Sequence, residues 1–336
     1  MQRMYLVMLA CALILGASMG SALVWNAWPG RHGGSPYPGG GNGPGAIGQL
    51  ENFTLNASLP PGGPSGMVYL VKPPLYDRGF CERIVERYNP GWLDGSVAVE
   101  ERDDSFGGQV RRSTVFSKDS ETVTVDSTGA YMYHSRAATE KWYDVEKQLR
   151  EANVSFMGES GLDFDGHHLV SRDEACNISI DFAKNHGGLP DGWYLSYQGR
   201  GVSTSTMCNR TMVMHYSIRL NRKIDGRPAI WSGGERANVM LTTLGDVSSF
   251  SVHWADLGLV IRTGILRTAA EALLYLDRNP QHCTAHEPTP IFFVELGYYA
   301  NLRMGGTEMF PVWIFYTDEK RHDCEIVRAV GPGYGL

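Results

Sequence analysis

The sequence predicts an α+β fold behind one N-terminal transmembrane helix. Three observations carry this. Met4 to Trp25 contains no charged residue. Two helix-start signals, Ser171-Arg-Asp-Glu174 and Thr268-Ala-Ala-Glu271, each precede strands rich in aromatic and β-branched residues. A Gly/Pro-rich stretch that cannot build a core separates the apolar run from the rest. Of 336 residues, 43% are hydrophobic and 20% charged, which suits a folded chain and excludes disorder throughout. Thirty Lys and Arg against 36 Asp and Glu give a net charge of −6 with no basic run, so nucleic acid is not an expected partner.

Residues 1–28 read as a membrane anchor. A run of about 20 apolar residues crosses a ~30 Å hydrocarbon core as one helix. Arg3 is the only charged side chain before it, so the positive-inside tendency places the body outside, with residues 4–25 in contact with membrane lipid. The alternative is a cleaved secretory signal ending near Gly20-Ser21-Ala22, which gives a secreted protein. Both readings put the body outside the cytoplasm. Residues 29–66 read as a flexible tether, with Gly39-Gly40-Gly41-Asn42-Gly43-Pro44 and Pro60-Pro61-Gly62-Gly63-Pro64. N-glycosylation sequons begin at Asn52, Asn56, Asn153, Asn177 and Asn209, in keeping with a surface glycoprotein.

Residues 67–160 read as an α+β unit. Met67 to Lys72 is an expected strand, Tyr76 to Tyr88 and Thr139 to Glu151 expected helices, and Gln109 to Tyr133 an expected run of antiparallel strands. Residues 161–262 and 263–336 each begin with a capping box, in which a hydroxyl and a carboxylate satisfy free N–H groups at a helix start. The first is followed by Trp193 to Tyr197, Val213 to Leu220, an Asp225-Gly226 turn, Pro228 to Trp231, Val239 to Thr243 and Ser248 to Trp254. The second is followed by Ile291 to Tyr299, Met309 to Tyr316 and Cys324 to Val330. A capped helix followed by an antiparallel sheet therefore occurs twice.

The order helix, strands, Asp225-Gly226-Arg227-Pro228, then Gly245-Asp246-Val247 to Phe250 and His253-Trp254, resembles PepSY-type repeats. Leu296-Gly297-Tyr298-Tyr299 followed by Phe310 to Ile314 resembles the final strand pair of such proteins. The resemblance covers roughly residues 170–330. It implies tandem PepSY-like units, as in membrane-anchored accessory proteins of bacterial sensor kinases, with a protein-binding or inhibitory role and no catalytic residues.

Six cysteines occur without a C-x-x-C pair, so zinc-ribbon and thioredoxin-like sites are not expected. Outside the membrane, disulfides persist. Expected bridges are Cys283–Cys324, from the loop after the last helix to the terminal strand, and Cys176–Cys208, from the central helix to its sheet. Cys81 is then the unpaired, buried one. Asp163-Phe-Asp165-Gly-His167-His168 carries ligand-type side chains, but an EF-hand needs Gly where His168 stands, so a polar loop is expected and no metal. His282, Cys283, His286 and Glu287 form no H-E-x-x-H motif, and Gly158-Glu-Ser160-Gly161 is no nucleophile elbow. Trp231, Trp254, Tyr298, Tyr299 and Trp313 read either as a ligand surface or as the inner face of the sheet. Glu295 interrupts an apolar strand, as an outward position or as a buried functional carboxylate.

The expected function is a membrane-tethered extracytoplasmic binding or regulatory module, with no enzymatic activity and no cofactor, contacting another envelope or membrane protein. A structural or adhesive surface glycoprotein is the alternative, and a hydrolase is a remote one.

Overall fold

The computed structural model describes residues 50–60, 65–72, 75–106, 109–205, 210–231, 236–279, 288–300, 308–319, 321 and 324–329. In chain order the elements are β1 (Phe53–Leu55), β2 (Ser65–Val71), α1 (Arg78–Tyr88), β3 (Ala98–Phe106), β4 (Gln109–Lys118), β5 (Glu121–Asp126), β6 (Tyr131–Ser135), α2 (Arg136–Glu151), β7 (Leu162–Phe164), β8 (His167–Leu169), α3 (Arg172–Asn185), β9 (Tyr194–Ser205), β10 (Arg210–Asn221), β11 (Lys223–Ile224), β12 (Arg227–Trp231), β13 (Arg236–Thr242), β14 (Val247–His253), β15 (Leu257–Ile265), α4 (Ala269–Arg278), β16 (Thr289–Ile291), β17 (Phe293–Ala300), β18 (Glu308–Tyr316) and β19 (Cys324–Arg328). The class is α+β, with mostly antiparallel sheets.

Each helix begins where a side chain caps it. Asp77 accepts from the Phe80 N–H, and Ser135 from the Ala138 N–H. Both expected capping boxes form. Glu174 N donates to Ser171 Oγ at 3.2 Å while Ser171 N donates to a Glu174 carboxylate oxygen at 2.7 Å. Thr268 and Glu271 repeat this at 3.2 and 2.7 Å. Such caps contribute about 1 kcal/mol each.

One sheet of eight strands runs β3-β4-β5-β6-β14-β13-β10-β9. Burial alternates along it: Ala237, Val239 and Leu241 are buried on β13, with Asn238 and Met240 less so between them. The buried face carries α1 over β5 and β6, α2 over β14 and β13, and α3 over β13 and β10. Cys81 and Val85, Trp142 and Leu149, and Ala175 and Ala183 bring the three helices into one core with Phe116, Tyr216, Ile218 and Phe250. A second sheet runs β11-β12-β17-β18-β2-β15, with β19 also paired to β18. The β11–β12 turn is Asp225-Gly226 at φ 51° and 74°, the positive pair that a two-residue hairpin requires.

Two expectations change. Strands do not stay within the blocks 67–160, 161–262 and 263–336. β6 pairs with β14, and β2 pairs with β15 and β18, so both sheets cross the expected boundaries. The end of the expected tether belongs to the body: β1 pairs in parallel with β16 and Phe53 is 3% exposed. The Asp277 carboxylate accepts the Glu51 and Asn52 N–H groups at 2.8–3.1 Å, which fixes the entry to β1. Composition masked this, because one aromatic residue and one acceptor suffice to dock so short a strand. The expected anchor, residues 4–25, lies outside the described residues; among those, no helix is long and apolar enough to cross a membrane.

Candidate functional site

The aromatic residues expected to line a ligand surface are core where they are described. Tyr298 is 0%, Trp313 1% and Tyr299 5% exposed. Tyr298 Oη donates to Asp225 Oδ2 at 3.0 Å, Trp313 Nε1 to the Arg267 carbonyl at 2.8 Å, and Tyr299 packs on Phe310. β17 lies between β12 and β18, and the second half of β17 and most of β18 are buried on both faces, so no outward aromatic row exists there. Trp254 is half-buried against the large core. The Trp231 side chain lies outside the described residues.

Glu295 lines a pocket. The pocket holds about 310 Å³ and is lined by Ala57, Ser58, Phe292, Phe293, Val294, Glu295 and Arg321. Local structure makes it. Phe292 separates β16 from β17, and its N–H donates to the Tyr316 carbonyl at 2.9 Å. Asn56 N donates to the Ile291 carbonyl at 2.9 Å, which draws Ala57 and Ser58 against this kink. Phe293 and Glu295 are two apart on β17 and share a face, and Phe293 is directly opposite Tyr316 in the β17–β18 register. That geometry lets Tyr316 Oη donate to Glu295 Oε1 at 2.7 Å.

Arg321 completes the site from the segment after β18. Its guanidinium lies 4.4 Å from the Phe293 ring centroid and 5.5 Å from that of Tyr316. Its Nη1 is 3.7 Å from Glu295 Oε1, an ion pair too long to be a hydrogen bond. Among the described residues Glu295 Oε2 has no hydrogen-bond partner. Burial, then the bond to Glu295, pushes the Tyr316 hydroxyl far above the usual phenol range, so it stays a proton donor. Burial also pushes Tyr194 on β9 up to about 12, with the Glu295 charge adding to the shift. The pocket sets a carboxylate beside an aromatic ring, a pairing that attracts positive charge.

Tyr316, Phe293, Arg321, Ala57 and Ser58 were not singled out by sequence. The Phe293-x-Glu295 spacing, which puts a ring and a carboxylate on one strand face, was the available signal. Arg321, with φ at +59°, has none.

The Asp163 cluster forms a surface tie. His168 Nδ1 is 2.7 Å from Asp163 Oδ1, and His168 Nε2 is 3.3 Å from Glu174 Oε1, which joins the β7–β8 hairpin to the α3 capping box. His282, His286 and Glu287 lie outside the described residues. Asn56, Asn153 and Asn177 are exposed. Asn52 instead donates from Nδ2 to the Asp277 carbonyl at 2.8 Å, and Asn209 lies outside the described residues. Cys176 is a free thiol buried where α3 meets the sheet, so the expected Cys176–Cys208 bridge is not formed at its described end. Its sulfur joins the hydrophobic core. Cys81 is likewise free and buried. Cys324 is exposed at the start of β19, and Cys208 and Cys283 lie outside the described residues.

No family model matches the chain, and no curated protein does. Among solved structures, a crystal structure of an uncharacterized protein from Eubacterium rectale aligns over 81% of this chain and 86% of its own, at 10% identity and a TM-score of 0.45.

Proposed function

We propose that this chain is a membrane-tethered extracytoplasmic binding or regulatory module that works without catalysis and contacts another envelope or membrane protein. The observation that carries the reading is the Glu295 pocket. It offers an unsaturated carboxylate oxygen, a ring and an open rim, which suits contact with a group presented by another molecule. Residues 4–25 supply the tether to lipid in this reading. The PepSY-like units are part of the same proposal: capped helices α3 and α4 accompany antiparallel strands, and the units share strands rather than stacking as separate blocks.

Capture from detergent-solubilised membranes tests this, with wild type and Glu295→Gln compared. One specific membrane protein, retained by wild type and reduced by the variant, supports regulation. Retention of envelope polymers instead supports the structural or adhesive reading, which the exposed sequons at Asn56, Asn153 and Asn177 also suit. Protease treatment of intact cells checks the orientation, since a body facing outside is removed.

A further inference from the structure

We infer that the Glu295 pocket takes the guanidinium of an arginine side chain presented by a partner, and that Arg321 occupies that place in the unbound protein. This rests on the binding-module reading and names its ligand chemistry.

The contacts Arg321 makes describe the ligand. Its guanidinium lies over the Phe293 ring at 4.4 Å and beside Tyr316 at 5.5 Å, with Glu295 at 3.7 Å. A guanidinium over a ring with a carboxylate beside it is a pairing that favours arginine, whose planar, weakly hydrated group suits an aromatic face better than the compact ammonium of lysine. A carboxylate has about four lone-pair sites and matches the guanidinium fork with two parallel hydrogen bonds. Here Glu295 receives one hydrogen bond, from Tyr316, and Oε2 stays open. Tyr316, 7% exposed and fixed on β18, holds the carboxylate without filling it.

Arg321 is a poor occupant of this site. Its Nη1 does not reach hydrogen-bond distance, its side chain is 51% exposed, and its backbone sits at φ +59°. Left-handed backbone disfavours a residue with a Cβ. An incoming arginine on a free segment bears no such restraint and can approach Oε2 directly. With Arg321 in place about 310 Å³ lies open beside it, at the foot of the range for small-molecule sites, roughly 300–1,000 Å³.

The experiment is an amide-resolved NMR titration of the full chain in detergent with N-acetyl-arginine N-methylamide. The lysine analogue and the neutral citrulline analogue are titrated in parallel. Saturable shifts confined to Phe293, Glu295 and Arg321 are expected with arginine, at least about tenfold weaker with lysine, and absent with citrulline. Glu295→Gln should weaken arginine binding roughly ten- to a hundredfold, the range for one charge-assisted hydrogen bond. Arg321→Ala, which removes a half-exposed side chain, should tighten it several-fold. Absence of saturation in both wild type and Arg321→Ala overturns the inference, as does equal response to citrulline. Weakening by Arg321→Ala also overturns it, because Arg321 is then part of the site. Capture of a membrane partner that persists in Glu295→Gln, with no arginine response, refutes this inference alone. An arginine response without any partner refutes the binding-module reading and leaves the pocket.

Discussion

Replacing Phe53 by Ala tests whether the segment before β2 is structural. Phe53 is 3% exposed, in a three-residue strand paired in parallel with β16. A buried aromatic side chain removes on the order of 150–250 Å² from water. At about 25 cal/mol per Å² that is a gross 4–6 kcal/mol. Phe to Ala in a core costs about 3–5 kcal/mol, since the methyl retains part of the area and the cavity partly collapses. The loss has a ceiling, because the short β1, held to β16 and to Asp277, can undock without the rest of the sheet. The expected result is a loss of about 3 kcal/mol. It should be read as faster hydrogen exchange at the Thr289 and Asn56 amides, which donate to the Asn52 and Ile291 carbonyls. Thr54→Ala, at an exposed position of the same strand, should stay within about 0.5 kcal/mol. Unchanged exchange and unchanged denaturant midpoint in Phe53→Ala would refute the docking of β1.

The remaining predictions concern the surface tie, the thiols and one backbone position. Hydrogen bonds donated to the Asp163 and then the Glu174 carboxylate hold the His168 pKa above the usual imidazole value, and the Ser171 N–H holds Glu174 below the usual carboxylate value. The His168 contribution is complete below about pH 6.5 and lost as pH rises through its raised folded value. The Glu174 contribution is complete above about pH 4.3 and lost as pH falls through its lowered folded value. The tie is therefore strongest between these limits, and the His168 ring proton should titrate above pH 6.5 by NMR and return toward it in Asp163→Asn. Burial raises the thiol pKa of Cys81 and Cys176, so a thiol reagent should label both only after unfolding; rapid labelling of native protein at Cys176 would contradict its place in the core. Gly158 has φ +73°, and a Cβ there would stand 2.3 Å from Tyr216 Oη. That hydroxyl is held by the Val170 carbonyl, so Gly158→Ala should cost about 2–4 kcal/mol in chemical denaturation.

What was legible in the sequence was local. Ser171-x-x-Glu174 and Thr268-x-x-Glu271 were readable because a capping box needs only its own first turn. Asp225-Gly226 was readable because its backbone angles exclude most residues. The pairing of β6 with β14 was not, since Met132 and Ser251 are joined by nothing in their neighbourhoods. Tyr298, Tyr299 and Trp313 alternate between two readings until the strands on either side are known. Glu295 was conspicuous as a charge in an apolar strand, but its partner Arg321 is placed by the segment after β18, on which no periodicity acts.

The topology has a kinetic consequence. β2 ends at Val71, yet its partners begin at Leu257 and Glu308. At about 5–20 residues per second of synthesis, that strand waits on the order of 10–40 s for its first neighbour. Throughout that interval it presents unpaired main-chain groups, which template aggregation. The eight-stranded sheet is complete by His253 and can consolidate earlier, because all its strands lie between Ala98 and His253. Folding should therefore run in two phases, and a nascent chain truncated before residue 257 should hold a formed helical core while its N-terminal strand remains open to a holdase.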